Sequence, residues 1–323
     1  MSERPPEISQ NKSDNVIQPF SLESSNLRGR IIRVGDVLNN VLEPHGYPNP
    51  VAHLVAETMA LTMLLSSMLK YEGIFTLQTQ GDGPVSMLVS DLTSEGILRG
   101  CASFDEERLQ HAREQLSALK AEESAQNHLA QYLGKGHIAF TVDSGAHERY
   151  QGIVELKGSS LIDCVQHYFT QSEQIGTGIK MAIGLRDGKW RAGGIMLQHL
   201  PEDQQNPRAG HTNTRDDEWR RAMILLDTCT DHELLDPNLH EHELLTRLFH
   251  EEGVRIYDSS EVKNGCRCDK ERIFNVLQTM PDEDLEHMEE DGVLSLTCEF
   301  CSTVYSFGLK DVKKAIKDKV SQA

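Results

Sequence analysis

Four of the seven cysteines lie in the last fifth of the chain, in two close pairs. One residue separates Cys266 from Cys268. Two residues separate Cys298 from Cys301, and twenty-nine residues lie between the pairs. Thiolates in this number and arrangement are the soft, tetrahedral donor set that zinc prefers in closed structural sites. A module of about sixty residues buries too little apolar surface to be stable alone, so the metal would supply much of its folding free energy. The spacing therefore predicts a structural zinc site with one ion per reduced chain.

The first cysteine pair is unusual, because two residues more often separate the ligands in a zinc knuckle. In an extended strand, residues i and i+2 share a face but lie about 6.6 Å apart. Cys266 and Cys268 can therefore reach one ion only if the chain turns, which Gly265 would allow. Basic neighbours would favour the thiolates and lower the thiol pKa values; these are Lys263, Arg267 and Lys270. Because peroxide attacks thiolates, the four cysteines can be zinc ligands when reduced and disulfides when oxidised.

The composition limits the classes of protein to which the chain can belong. Hydrophobic residues make up 38% and charged residues 25% of the 323 positions, which excludes a membrane protein and a wholly disordered chain. The net charge of −18 repels phosphate backbones, so we expect no nucleic-acid partner. The odd cysteine count, with no apolar block in residues 1–18, argues against a secreted disulfide framework and predicts reduced thiols in the cytoplasm.

The fold class predicted for the chain is α+β. The most hydrophobic stretch, residues 50–70, contains His53 and Glu57 and predicts a buried helix, with no membrane span. Asn49 is expected to cap it. Before and after this helix, β-branched and turn-forming segments predict an N-terminal α/β core with antiparallel or mixed sheets and packed helices, over residues 19–204. Further predictions are a strand at 28–35, a charged helical segment at 105–133, a helix capped by Ser159 or Ser160, and a hairpin closed by Asp187-Gly188. In the C-terminal segment, residues 293–307 predict a hairpin that carries the second cysteine pair.

The flanking segments differ from this core in composition. Residues 1–18 carry two prolines and no apolar block, and we expect a disordered tail. Residues 205–262 are predicted to be a flexible and helical linker, because the polar, proline-containing stretch 201–217 precedes short helical patterns. The first pattern carries Trp219, Met223 and Leu226 at helical spacing and is too short and charged to stand alone, so it must dock. Residues 263–323 are the predicted zinc-binding redox-switch domain.

Other motifs give no catalytic site. The chain contains no G-x-S-x-G or H-E-x-x-H pattern, and its short glycine clusters extend to neither a Walker loop nor a dinucleotide fingerprint. His240 and His242 are expected on opposite sides of a helix, in a solvated polar face. The remaining cysteines sit beside apolar residues and are expected to be small buried hydrophobes: Cys101, Cys164 and Cys229. We therefore expect no enzyme and no use of ATP.

The sequence resembles the heat shock protein 33 family of redox-regulated holdase chaperones. The likeness rests on the Cys-x-Cys plus Cys-x-x-Cys arrangement and on dispersed blocks between residues 28 and 307: QGDGP (80–84), YQGIVEL (150–156), YFTQSEQI (168–175), AGGIMLQ (192–198) and RLFHEEGVRIYD (247–258). Residues 105–133 look longer than the family typically has there, and the N-terminal tail is extra. Neither difference involves the thiol motif.

The resemblance implies a chaperone with two states. In the reduced state the four cysteinates hold zinc and the protein is inactive. Oxidation, with zinc release, pairs Cys266 with Cys268 and Cys298 with Cys301. The zinc module and the linker then unfold, apolar surface becomes available to unfolding client proteins without ATP, and the chain dimerises.

Two other functions stay open at this stage. In a zinc-dependent thiol-disulfide oxidoreductase, the Cys298–Cys301 pair would exchange disulfides catalytically, which requires one exposed pair in a stable fold. In a binding module with a constitutive zinc ribbon, nucleic acid would be the partner, which the net charge opposes.

Overall fold

The computed structural model describes residues 14–118, 128–145, 149–199 and 212–320. Within these residues the chain forms two six-stranded sheets and one sheet of three strands, with helices packed between and outside them. This arrangement confirms the predicted α+β class. None of the helices in the described ranges is long and apolar enough to cross a membrane.

The first sheet has the strand order β10-β1-β2-β9-β8, and β11 also pairs with β1. All its pairings are antiparallel. The hairpin β8–β9 closes through Asp187 and Gly188, whose φ angles of 52° and 76° give the two-residue turn that the sequence predicted. The strands are β1 (Asn15–Leu22), β2 (Leu27–Val34), β8 (Thr177–Arg186), β9 (Lys189–His199), β10 (Val254–Ile256) and β11 (Ser260–Glu261).

The second sheet has the order β12-β5-β4-β3-β6-β7. Its pairings are antiparallel except that β12 runs parallel to β5. The strands are β3 (Ile74–Gly81), β4 (Val85–Thr93), β5 (Ile97–Phe104), β6 (Gly136–Asp143), β7 (Tyr150–Glu155) and β12 (Lys263–Asn264).

Helix α2 (Asn49–Ser66) packs on strands of both sheets. Almost every side chain from Val51 onward is buried, so the helix has apolar residues on all sides rather than one apolar stripe. The predicted buried helix is therefore confirmed, with its N-cap at Pro48 instead of Asn49. The other helices of the core are α1 (Asp36–Leu42), α3 (Glu106–Ser117), α4 (128–133) and α5 (Leu161–Tyr168).

Three local predictions for the core can be compared with these elements. Ser160 caps α5, and its side chain and that of Asp163 form a reciprocal capping box. The charged segment 105–133 contains two helices, α3 and α4, while residues 119–127 lie outside the described ranges. The predicted tail is too long, because Asn15 to Gln18 form the start of β1, paired along its length with β2. Residues 1–13 lie outside the described part.

The linker helices cover the outer face of the first sheet. They are α6 (Thr212–Asp227), α7 (Asp231–Leu235) and α8 (Glu241–Phe249). Leu226 is fully buried there, and Trp219 and Met223 pack against the same cluster, which confirms the predicted docking. The boundary segment 200–211 is outside the described residues. Residues 254–264, here called the strap, contain β10, β11 and β12, none of which the sequence predicted.

The C-terminal module has a small core of its own. A three-stranded sheet packs with three helices around five buried side chains: Leu277, Leu285, Leu294, Phe307 and Val312. Its elements are α9 (Lys270–Leu277), α10 (Asp282–His287), β13 (Glu289–Glu290), β14 (Val293–Thr297), β15 (Val304–Gly308) and α11 (Leu309–Val320). A core of this size is too small for much stability without a crosslink.

Candidate metal centre and redox site

Two loops of the C-terminal module bring the four cysteines together. Cys266 and Cys268 lie between β12 and α9 in a segment without regular secondary structure, and the side chain of Asp269 then caps α9. Cys298 and Cys301 lie in the tight turn of the β14–β15 hairpin. In that turn the N–H of Ser302 donates to the Cys298 carbonyl at 2.8 Å, and Ser302 has a φ of 55°. The predicted hairpin carrying the second pair is therefore confirmed.

The distances between the sulfur atoms are compatible with one tetrahedral metal ion. All four Sγ atoms lie within 4.8 Å of one another. The closest pairs are Cys266–Cys298 at 3.7 Å and Cys268–Cys301 at 3.4 Å. Four sulfurs bound to zinc at about 2.3 Å would lie about 3.8 Å apart. The cluster could hold a metal ion, and its geometry and donor type suit zinc.

Gly265 allows the first loop to reach this position. A Cβ atom at residue 265 would lie 2.8 Å from Cγ2 of Ile97, so a larger residue would push the loop away from β5. The loop can therefore lie against the core and still present both sulfurs to the second pair. Gly265 is expected from the sequence to let the chain turn, but its φ is not positive; its role here is the absence of a Cβ atom where the loop passes Ile97.

The thiols differ in acidity. Burial raises the pKa of Cys268 to about 12 and also raises the pKa of Cys298. Burial acts in the same direction on Cys301, but hydrogen bonds with the side chain and backbone of Thr303, and with the neighbouring thiols, lower its pKa to about 7. The expectation that adjacent basic residues lower the thiol pKa values of the first pair is therefore wrong for Cys268. For Cys301, hydrogen bonds with Thr303 and with the neighbouring thiols lower the pKa, rather than a basic residue.

Arg99 of β5 joins the metal loops to the core. Its Nη1 lies 3.7 Å from Sγ of Cys266, and its guanidinium carbon lies 3.8 Å from the centroid of the Phe300 ring. On the other side of the hairpin turn, His45 contacts the Phe300 carbonyl at 3.3 Å and the Ser302 hydroxyl at 3.1 Å. Both cysteine pairs therefore rest on residues of the N-terminal core.

A buried carboxylate completes this contact. Asp91 of β4, with 5% of its side chain exposed, binds Arg99 at 2.9 Å and Arg267 at 2.8 Å. Arg267 stands between the first two cysteines, so one carboxylate ties that loop to the core. Sequence reasoning missed Asp91, Arg99 and His45 as parts of the site. No local signal marks them, because each lies more than 160 positions from its partner in the C-terminal module.

The other three cysteines do not belong to the cluster. They are buried in the core and under the linker, and burial raises their thiol pKa values to about 12 for Cys101 and about 11 for Cys164 and Cys229. Such thiols form little thiolate at neutral pH. The prediction that they are small buried hydrophobes is confirmed.

The histidine pair at the start of α8 differs from the prediction. His240 is the N-cap residue with an extended backbone, so its ring meets that of His242 with the centroids 4.7 Å apart. Nδ1 of His240 accepts from the His242 N–H, and Nε2 of His242 lies 3.2 Å from Oε1 of Gln18. With Glu241 they form a second group of possible metal donors. Their hydrogen bonds fasten the linker to β1.

Comparison with known proteins agrees with this architecture. The model of the family described as "Hsp33 protein" matches residues 15–308. A protein named 33 kDa chaperonin from Caulobacter vibrioides is 39% identical over 298 residues, which cover 90% of this chain and 94% of that protein. A protein of the same name from Shigella flexneri is 34% identical over 305 residues, covering 94% and 96% of the two chains.

A solved structure shares the fold. The crystal structure of a 33 kDa chaperonin, a heat shock protein 33 homologue from Thermotoga maritima, superposes with a TM-score of 0.77. The superposition covers 95% of this chain and 99% of that chain. Because the two sequences are only 20% identical, the match is evidence for a shared fold alone. The family match over nearly the whole described chain, together with the curated relatives, shows that this chain belongs to the Hsp33 family of chaperones.

Proposed function

We propose that the protein is a redox-regulated, ATP-independent holdase that binds unfolding proteins under oxidative stress in the cytoplasm. In this proposal residues 19–204 are the chaperone core, residues 205–262 the linker and residues 263–323 the redox-switch domain. The protein is not an enzyme, and its partners are unfolded client proteins, with no role for nucleic acid or membrane. The observation that carries the proposal is that the four clustered cysteines are also the point where the C-terminal module touches the core.

In the reduced state, the four cysteines would hold one zinc ion: Cys266, Cys268, Cys298 and Cys301. Bound zinc would supply a crosslink between the two loops, which a module with five buried core side chains needs for stability. The loops would then keep Phe300 against Arg99 and Arg267 against Asp91. This is the inactive form.

Oxidation would convert the four thiols into two disulfides. Each disulfide would form as two cysteinates lose two electrons to one hydrogen peroxide molecule, which takes up two protons from solvent and becomes two water molecules. The zinc ion would be released as its ligands are oxidised. We propose the pairs Cys266–Cys268 and Cys298–Cys301, on the family resemblance. The closest sulfurs in the reduced cluster are those of the other pairing, but all four lie within 4.8 Å of one another, so each pair can close within its own loop.

The consequence for the fold would be the loss of the C-terminal module and of its contacts with the core. The linker helices would then be held on the first sheet by their own packing and by hydrogen bonds such as those from Arg33 to the linker backbone. That packing covers large apolar side chains, among them Phe20, Leu27, Ile31 and Leu197. Exposure of this surface would allow hydrophobic binding of unfolding proteins, which requires neither a sequence code nor ATP. The same exposure would favour dimerisation of the oxidised chain.

Light scattering of a heat-unfolding client tests the proposal. Protein treated with peroxide at raised temperature should suppress aggregation, and reduced zinc-loaded protein should not. Equal suppression by both forms would contradict redox control, and a requirement for added ATP would contradict the holdase mechanism. Multiple turnovers of a disulfide substrate would favour the alternative, a zinc-dependent thiol-disulfide oxidoreductase.

A further inference from the structure

The strap, residues 254–264, is an extended segment bound along the edges of both large sheets. β10 and β11 pair with the outer edge of β1, and β12 pairs with the outer edge of β5. Tyr257 N–H donates to the Pro19 carbonyl at 3.1 Å, and Gly265 N–H, just beyond the strap, donates to the Leu98 carbonyl at 3.3 Å. The strap is thus held largely by backbone hydrogen bonds.

The two sheet edges form one continuous track. Val262 N–H donates to the Asn15 carbonyl of the first sheet at 2.9 Å, and the next residue, Lys263, donates to the Gly96 carbonyl beside the second sheet at 2.9 Å. Gly96 has a φ of +84°, and a Cβ there would lie 2.5 Å from the Glu261 carbonyl oxygen. The core therefore leaves room at this crossing for a polypeptide backbone to pass closely.

A cavity of about 740 Å³ lies under the middle of the strap. Its floor and walls include four apolar or aromatic side chains of the core: Ile17, Leu69, Tyr71 and Leu92. The strap faces this cavity with Ser260, Glu261 and Val262, of which only Val262 is buried. The strap thus leaves an open space beneath it whose wall is partly polar and partly apolar, with Leu69 42% exposed.

We propose that the strap occupies the binding track of the client, and that the client is an extended segment of an unfolded polypeptide that pairs as an added strand with β1 and β5. A large apolar side chain of the client, in the position of Ser260, would occupy part of the cavity and contact its apolar wall. This inference rests on the proposed function and names how the holdase holds its client. Backbone pairing gives affinity without a sequence code, and the cavity favours apolar segments.

The strap itself shows that the track accepts an extended polypeptide. Polypeptide in an extended conformation already lies on the track, through ladders of three, two and two residue pairs. While the module is folded, the strap is tethered at both ends. The resulting high effective concentration at the track compensates for the weak pairing of these short ladders. Its C-terminal tether is Cys266, two residues beyond Asn264, so release of the metal loops also releases the strap. A client that buries a large apolar side chain in the cavity would then bind better than the strap does.

Placing an apolar side chain in the cavity from the strap tests the proposal. Ser260→Leu should strengthen the strap and weaken binding of a client to the oxidised protein by about tenfold. The probe is reduced, carboxymethylated α-lactalbumin, labelled for fluorescence anisotropy. Ser259→Leu adds the same side chain at a neighbouring residue that does not line the cavity, and it should bind as the unaltered protein does. Equal affinities for the two variants would overturn the proposal.

Amide hydrogen exchange gives a second readout that does not depend on a variant. Peptides covering residues 15–22 and 95–99 should lose protection on oxidation and regain it when the probe is added. No change on adding the probe would overturn the proposal. Protection that returns with protein concentration, in parallel with dimerisation and without the probe, would assign the track to a second copy instead. Oxidised protein that does not bind the probe at all would contradict the proposed function itself.

Discussion

The guanidinium group of Arg99 stacks on the ring of Phe300, with 3.8 Å between the guanidinium carbon and the ring centroid. Arg99 belongs to a core strand, and Phe300 lies between two of the clustered cysteines. A cation over an aromatic face is attracted by the ring quadrupole, most strongly where water is excluded. Since Arg99 also contacts Cys266 and pairs with Asp91, one core side chain is in contact with both metal loops. Movement of either loop must therefore disturb the contact between module and core.

The first prediction concerns the ion pair between Arg267 and Asp91. Arg267→Ala removes a charge-assisted hydrogen bond to a buried carboxylate, worth about 1.5–3 kcal/mol. We expect the reduced variant to bind metal at full stoichiometry, because the four cysteines remain. Undocking of the module should be favoured by roughly tenfold or more, so activation by peroxide should be faster and occur at lower temperature. Light scattering of a client during a timed oxidation measures this.

Lys310→Ala is the matched control for that experiment. It removes one positive charge from the same module, on α11, where the charge does not pair with Asp91. Its activation rate should equal that of the unaltered protein. Activation of Arg267→Ala at this same rate would show that the ion pair does not hold the module.

The second prediction concerns metal content. Reduced protein should bind one zinc per chain, and cobalt in its place should give the intense visible bands of tetrahedral thiolate coordination. Replacing all four clustered cysteines by serine should abolish both. Cys164→Ser is the control, because that thiol is buried in the core and already exchanges hydrogen bonds with the backbone of Lys157. Full metal content in the fourfold variant would disprove the ligand assignment.

Local chemistry explains what the sequence could predict. The Asp187-Gly188 turn, the Ser160 cap and the hairpin carrying Cys298 and Cys301 each depend on residues within a few positions of one another. Helix α2 was predictable because its apolar stretch is long and has a proline at its start. These features need no knowledge of the rest of the chain.

The missed features depend on partners far along the chain. Residues 15–18 resemble the preceding tail because they contain only two apolar residues in succession, after a polar stretch with two prolines. Pairing with β2 and burial of Val16 and Ile17 nevertheless make them a strand. The strap strands are two or three residues long, so they exist only through their partners in β1 and β5. Asp91 carries no motif; its role follows from the two arginines that the fold brings to it.

The third prediction concerns the pH dependence of stability. Burial of the Glu57 carboxyl in α2 raises its pKa to about 7 from 4.5. Between those pH values the folded chain keeps a proton that the unfolded chain has lost. Stability from this group is therefore full below about pH 4.5 and falls as the pH rises to about 7, by about 3 kcal/mol in total.

Glu57→Gln should remove this dependence, because a neutral amide can still accept the hydrogen bond from the Leu161 backbone. We expect the variant to be more stable than the unaltered protein at pH 8 and similar to it near pH 4.5, in urea unfolding of the reduced, metal-loaded form. Glu107→Gln, at an exposed carboxyl of α3, should change neither value. A constant difference between Glu57→Gln and the unaltered protein across this range would contradict the argument.

The fourth prediction is that the Cys298–Cys301 disulfide forms before Cys266–Cys268. The hairpin turn already brings residues 298 and 301 close, whereas the single-residue pair must close a smaller ring and distort the backbone around Arg267. That arginine is tied to Asp91, so the first loop stays on the core until the module loosens. Quenching a slow peroxide reaction with an alkylating reagent, and mapping the trapped thiols, measures the order. In Arg267→Ala the delay between the two closures should shorten. An early species with Cys266–Cys268 closed and the hairpin thiols alkylated would reverse the order, and a Cys266–Cys298 or Cys268–Cys301 crosslink would show that the nearest sulfurs in the cluster decide the pairing.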